Sequence, residues 1–385
     1  MKKLAIITTH PIQYNAPLFK LLSKRGIIKI KIFYTWGQSR KELYDPGFSI
    51  VRSWDIPLLD GYDFEFINNI SQDPGSDKYF GIINPTIISK IKGFHPDAIL
   101  VFGWNFKSHL KIMRSFKGLI PVYFRGDSTL LDEQNSPFLR RLIRSIMLIW
   151  VYRFIDKALF VGIANKKYFL RHMVKKSQLV YAPHAIDNER FMNTDDIEFN
   201  IAEIRKKYNL IENNFIFLFS GKLENKKNIS LLISSFLNIA NLNARLLIVG
   251  NGPEESELKK LAMYDNRIIF MDFQNQTKMP TIYRLANVFV LPSKGPGETW
   301  GLSINESMAC GIPVIVSDKV GCAEDLVSTE TGWIFPSGNS YLLTKILKKA
   351  FSQSEMIYKM GKNAQENIKK FNFDNIAIAI ENLMK

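Results

Sequence analysis

Cysteine is nearly missing: Cys310 and Cys322 are the only two in 385 residues. One pair cannot make a disulfide framework for a chain this long, so both read as reduced, small core residues of a cytoplasmic protein. Long apolar runs are missing too. The longest candidate, SIMLIWVY from Ser145, is flanked by Arg144 and Arg153. It falls well short of the roughly 18 residues a membrane span needs. The opening MKKLAIITTHPIQY has two lysines but only a short apolar run before threonines and a histidine, so it does not read as a secretory signal. Histidine numbers five, nothing has metal-site spacing, and no short repeat or low-complexity tract occurs. His109 and His172 lie in amphipathic stretches and read as surface residues.

Acidic residues are scarce in the first half. Residues 1–190 hold 29 Lys and Arg against 15 Asp and Glu, a balance of 29 − 15 = +14. Residues 191–385 hold 22 and 21, a balance of +1, which accounts for the net charge of +15. Such an asymmetry suits an anionic partner: a membrane leaflet, a phosphorylated lipid or a nucleic acid. No recognised nucleic-acid-binding motif accompanies the charges, so nucleic acid is not expected. Two segments concentrate them. SPFLRRLIRSIMLIWVYRF from Ser136 combines Arg140, Arg141, Arg144 and Arg153 with Trp150 and large aliphatics, and NFKSHLKIMRSFKG from Asn105 spaces Lys107, Lys111 and Arg114 along one helical face. Each suits docking at an anionic leaflet, and each also fits a core helix whose cations reach solvent.

Short apolar runs alternate with amphipathic stretches throughout, the α/β rhythm. Strands are expected at LAIITT, IIKIKIFY, DAILVFG, PVYFRG and ALFVG in the first half. In the second half they fall at FIFLFSG, ARLLIVG, RIIFMDF, VFVLPS and PVIVSD. Their near-continuous apolarity implies parallel sheets buried on both faces. The polar stretch 187–200 suggests a boundary between two doubly wound domains, 1–190 and 191–365. Residues 366–385 form a terminal helical segment that could pack back toward the first domain.

Ligands in open parallel sheets bind beyond the carboxyl ends of the strands. SGKLENKKN, from Ser220, joins a strand to a helix start and carries Lys222 and Lys227. Two ammonium groups beside a helix terminus suit a diphosphate, although a solvated turn would look the same. IVGNGPEE contains Gly250 and Gly252 without a full dinucleotide fingerprint. In GETWGLSINESMACG, Glu298 precedes a helix and Glu306 lies inside it. Ser303 and Glu306 have capping-box spacing, but a carboxylate also grips a vicinal diol, and amides around Trp300, Gly301 and Leu302 suit phosphate oxygens.

The stretch ETWGLSINESMACGIPVIVSDKVGCAEDLV resembles the E-x7-E region of retaining GT-B glycosyltransferases of glycosyltransferase family 4. The resemblance extends through SGKLENKKN, LLIVGNGPEESELKKLA and MPTIYRLANVFVLPS, and more loosely through YAPHAIDNERF and THPIQYNAPLFKLL. It implies an α/β GT-B fold, two Rossmann-like domains facing a central cleft. By the same resemblance Lys222 and Lys227 hold a donor diphosphate and Glu306 the ribose hydroxyls. Glu298 meets the transferred sugar, the Thr299, Trp300, Gly301 and Leu302 amides meet sugar and phosphate, and Gly250 and Gly252 line the nucleotide pocket. Where relatives carry a histidine near the sugar, this chain has RGDS, so Arg125 and Asp127 become candidates for that role, with His10 and Gln13 facing the acceptor.

The implied activity is metal-independent, cofactor-free transfer of a sugar from a nucleotide-diphosphate sugar to a glycan or lipid-linked acceptor in surface polysaccharide assembly. The enzyme would sit at the inner face of the cell membrane. A nucleotide-sugar 2-epimerase of the same fold, or a non-catalytic protein binding anionic glycan or membrane, are the alternatives.

Overall fold

The computed structural model describes all residues except 41, 42, 46–49, 53, 134–136, 194 and 196. Ser136, which opens the first basic segment, and Thr194 and Asp196 in the polar stretch lie outside the described residues.

Two compact units form, each around one parallel sheet. The first comprises Met1–Leu43, Ile56–His184 and Asn372–Lys385. The second comprises Tyr44–Asp55 and Ala185–Phe371. The sequence pattern alone divides the chain at 190 and again at 365, whereas the units divide at His184/Ala185 and Phe371/Asn372.

In the first unit the strands run, across the sheet, Phe64–Phe66, Lys29–Tyr34, Lys3–Thr8, Ala98–Phe102, Val122–Arg125, Lys157–Phe160 and Leu179–Tyr181. All neighbours pair in parallel. Leu4 to Ile7 and Ile99 to Val101 are fully buried, so both faces of the central strands are covered by helices. Two edge strands, 64–66 and 179–181, have no counterpart in the sequence reading because three residues carry too little pattern.

The last helix, Phe373–Leu383, belongs to this unit for a visible reason. Arg25, at the end of helix Ala16–Arg25, donates from Nε to Glu381 Oε1 at 2.7 Å and from Nη2 to Oε2 at 2.9 Å. This is a two-pronged grip on a carboxylate that is itself buried. Tyr123 Oη adds a hydrogen bond to the Leu383 carbonyl at 2.6 Å.

The second unit orders its strands Ile268–Met271, Ala244–Val249, Phe215–Ser220, Val288–Leu291, Val314–Ser317 and Gly332–Phe335. Again all are parallel. Numbered within the unit, that order is 3-2-1-4-5-6, the doubly wound arrangement. The order reverses between Phe215–Ser220 and Val288–Leu291, which pair directly, Phe217 with Val288 and Leu218 with Phe289. The loops leaving these two strands, 221–228 and 292–301, therefore flank the switch point where such sheets bind ligands.

The two histidines expected at the surface are in fact buried, His109 at 0% and His172 at 1% exposure. His109 Nδ1 donates to the carbonyls of Gly103 at 2.9 Å and Phe102 at 3.1 Å, while Nε2 lies 2.8 Å from Thr35 Oγ1. Burial pushes its pKa down to about 4, so the ring is a neutral strut. Helical spacing alone could not separate a buried polar residue from an exposed one, because a satisfied imidazole is tolerated on either face.

Candidate functional site

Lys227 and Glu298 come from the two loops at the switch point and meet there. Lys227 Nζ lies 2.5 Å from Glu298 Oε2, and Ser293 Oγ donates to the same oxygen at 2.8 Å. Glu298 is 6% exposed. Burial alone would raise its pKa, but the Lys227 charge, the hydrogen bonds from Lys227 and Ser293, and the Lys226 charge outweigh that and hold it below the usual carboxylate value. The carboxylate is therefore ionised.

The loop presenting Glu298 is clamped. Its carbonyl accepts from Gly321 N at 3.0 Å, and the Trp300 carbonyl accepts from Cys322 N at 3.0 Å. The approach is so close that a Cβ on Gly321 would lie 1.7 Å from the Thr299 oxygen. Trp300 is buried, its indole N–H donating to Asn305 Oδ1 at 2.8 Å, so its side chain serves the core and only its backbone can serve a ligand. Gly301, at φ +94°, opens helix Leu302–Ala309. The first amides of that helix, Leu302 among them, have no preceding turn to bond to.

Glu306 lies in this helix but not in a capping box: the helix starts at Leu302, and no side chain caps it. Instead Glu306 Oε2 accepts from Tyr283 Oη at 2.7 Å, and Oε1 is buried without a hydrogen-bond partner among the described residues. Burial raises its pKa to about 7, opposed by the Tyr283 hydrogen bond and by the Arg190 charge. An unsatisfied buried acceptor of this kind costs about 1–3 kcal/mol until something donates to it.

Lys222 is half-buried in the loop 221–224. That loop is tied to the next strand-end loop: Leu223 N donates to Asn251 O, and Glu254 N to Leu223 O, each at 3.0 Å. Gly250 and Gly252 sit on the same seam. A Cβ on Gly250 would lie 2.1 Å from Gly221 O, and one on Gly252 2.5 Å from Leu223 O. Both glycines are thus required by backbone crossing backbone, a reason that the sequence reading did not contain.

The first unit treats its candidates differently. Arg125, 5% exposed, donates to the carbonyls of Ala182 at 2.7 Å and Pro183 at 2.9 Å, and burial lowers its pKa to about 10. Its guanidinium is committed to holding the end of that unit's chain. Asp127 Oδ2 is 3.6 Å from His184 Nε2. His10 lies at the end of the first strand, its Nδ1 2.9 Å from Thr9 Oγ1 and its ring edge-on to Trp36. Gln13 is half-buried in the following turn.

Sequence reasoning missed Ser293, Tyr283 and Arg190. Nothing in their spacing marks them, since each becomes relevant only through the partner that the fold supplies.

Residues 200–367 match the family described as Glycosyl transferases group 1. The chain is 32% identical over 186 residues to the Bacillus subtilis protein YtcC, covering 45% of each chain. It is 28% identical over 191 residues to the D-inositol 3-phosphate glycosyltransferase of Gordonia bronchialis, covering 46% of this chain and 41% of that one. The chain thus spans less than half the length of these curated relatives. Among solved structures, Anabaena HepE in complex with UDP superposes with a TM-score of 0.74 at 18% identity, covering 100% of this chain and 99% of that one. The sucrose-phosphate synthase of Thermosynechococcus elongatus gives 0.73 at 20%, covering 100% and 98%. These likenesses carry the fold. The chain has the GT-B fold of two parallel-sheet Rossmann-like domains, and its residues 200–367 match the glycosyl transferases group 1 family.

Proposed function

We propose that the protein is a retaining glycosyltransferase of family 4 that moves a sugar from a nucleotide-diphosphate donor to a glycan or lipid-linked acceptor in surface polysaccharide assembly. The observation that carries this reading is the pairing of Lys227 with the buried Glu298 carboxylate at the switch point of the second unit. A cation beside an ionised carboxylate suits a donor that brings both a diphosphate and a hydroxyl-bearing sugar. Lys222, Lys227 and the Thr299–Leu302 amides take the diphosphate, Glu298 a sugar hydroxyl, and Glu306 Oε1 a ribose hydroxyl. Gly250 and Gly252 shape the nucleotide pocket through the loops they allow to cross.

In the reaction the bond from the sugar's anomeric carbon to the diphosphate oxygen breaks while one to the acceptor oxygen forms on the same face. The acceptor proton passes to the departing diphosphate. The protein's share is electrostatic: lysine ammonium groups and amides stabilise charge growing on the leaving group. No metal or cofactor is assigned to this work. On the acceptor side, His10, Gln13 and Asp127 face the second substrate, with Arg125 positioning the neighbouring backbone. The basic first unit meets an anionic membrane at its cytoplasmic face.

A thermal-shift panel of UDP, GDP, ADP, dTDP and CMP, without metal, tests the reading. One diphosphate at 100 times its dissociation constant should stabilise the protein by about 2.7 kcal/mol. Glu306→Ala should abolish that shift. If no diphosphate stabilises the chain, the donor assignment falls.

A further inference from the structure

Helix Phe138–Tyr152 is laid onto the first unit by a narrow stripe: only Leu148, Val151 and Tyr152 of its fifteen residues are buried. Its outer surface is not the polar face expected of a surface helix. Phe138 is 73% exposed, Leu139 64%, Ile143 61% and Ile146 60%. Arg140, Arg141 and Arg144 stand among them, and the helix FLRRLIRSIMLIWVY contains no acidic residue. A contiguous apolar surface rimmed by cations marks an interaction site.

Beneath the helix lies a cavity of about 590 Å³, within the range of small-ligand sites. It opens at the carboxyl ends of strands Ala98–Phe102 and Val122–Arg125, bounded by Trp104, Trp150, Asn105, Ser128, Arg114 and Arg144. Arg144 Nε is 3.2 Å from Glu133 Oε1, so part of its charge is matched. Arg114 stacks over the Trp150 ring at 5.6 Å, and among the described residues no carboxylate pairs with it. Aromatic walls and a guanidinium without a counter-ion are thus continuous with an exposed apolar helix.

We propose that this cavity seats the phosphate-bearing head group of a bilayer lipid whose chains lie along the exposed face of helix Phe138–Tyr152. As the acceptor's seat, the assignment rests on the transferase reading above. Each half of the lipid meets its complement. An anionic head desolvated against Arg114 and Arg144 gains charge-assisted hydrogen bonds, while acyl chains cover side chains that water now surrounds. Charge favours this occupant: the cations exclude a cationic partner, and the apolar surface between them has no use for a nucleic-acid backbone.

The experiment is co-sedimentation of the full chain with phosphatidylcholine vesicles, plain or doped with phosphatidic acid. Wild type should bind the doped vesicles at least fivefold more tightly than the plain ones. Ile143→Glu combined with Ile146→Glu should lose on the order of tenfold or more, since each isoleucine otherwise buries its side chain in the bilayer. Arg114→Gln should lose roughly fivefold on doped vesicles, the worth of one surface cation, and little on plain ones. Equal binding to both vesicle types, or unchanged binding by the isoleucine variant, overturns the proposal. So does displacement by equimolar inorganic phosphate, which would mean a free-anion site.

Thermal unfolding of each variant with and without the stabilising nucleoside diphosphate separates the two readings. Vesicle binding as expected with no diphosphate response refutes the transferase and leaves the lipid seat standing. A diphosphate response with no vesicle binding refutes the lipid seat alone.

Discussion

Glu306→Gln tests the electrostatics of the proposed donor pocket without removing its hydrogen bond, because the amide oxygen can still accept from Tyr283. In the folded protein burial raises the Glu306 pKa from the usual 4.5 to about 7. Below pH 4.5 both folded and unfolded chains hold the proton, and the group contributes nothing to the pH dependence. Between 4.5 and 7 the folded state holds it and the unfolded state has lost it, so stability falls as pH rises. Above 7 both have released it and the loss reaches its plateau. At about 1.36 kcal/mol per pH unit over that window, the plateau is about 3 kcal/mol.

Glutamine carries no such slope. The stability of Glu306→Gln minus that of wild type should therefore climb between pH 5 and pH 8 by about 3 kcal/mol, on the order of 6–12 °C in unfolding temperature for a domain of this size. Differential scanning calorimetry of the intact chains across that range makes the measurement. Parallel curves for the two proteins would refute the reasoning, since they would mean that Glu306 titrates alike in both states.

Lys227→Ala should lower turnover by about 10²–10³-fold and destabilise the protein by about 3–5 kcal/mol, because it strands the buried Glu298 charge. Adding Glu298→Gln should restore stability, read by urea denaturation, without restoring turnover. Gly252→Ala should destabilise the second unit by about 1–3 kcal/mol or more, because the new methyl group meets the Leu223 backbone; circular dichroism melts would register it. Arg25→Ala should free helix Phe373–Leu383, seen as loss of amide-exchange protection there while the second unit's protection is unchanged. Turnover, once a donor is identified, should be the same in excess chelator as in untreated buffer.

The strands were legible wherever four or more apolar residues ran together, as in FIFLFS and LAII, because burial on both faces leaves no polar alternation to hide them. The loops at the switch point were legible for the same reason, since they follow those strands. Glu298, Glu306, Lys222 and Lys227 stood out there as candidates by residue type and position, and their roles came from the family resemblance. The buried histidines, the short edge strands and the backbone crossings at Gly250 and Gly252 were not legible. Periodicity reports which face of an element a residue shares, not what the fold lays against that face.

Residue order by itself determined the alternation of strand and helix and the basic bias of the first half, since both are sums over local side-chain chemistry. Only the tertiary structure decided that Lys227, Glu298 and Ser293 share one carboxylate oxygen, that Glu306 keeps an unpaired one, and that a fifteen-residue helix turns its apolar surface outward. Charge state and exposure depend on neighbours distant in sequence. Here those neighbours meet because a parallel sheet in the order 3-2-1-4-5-6 brings its first and fourth strands side by side.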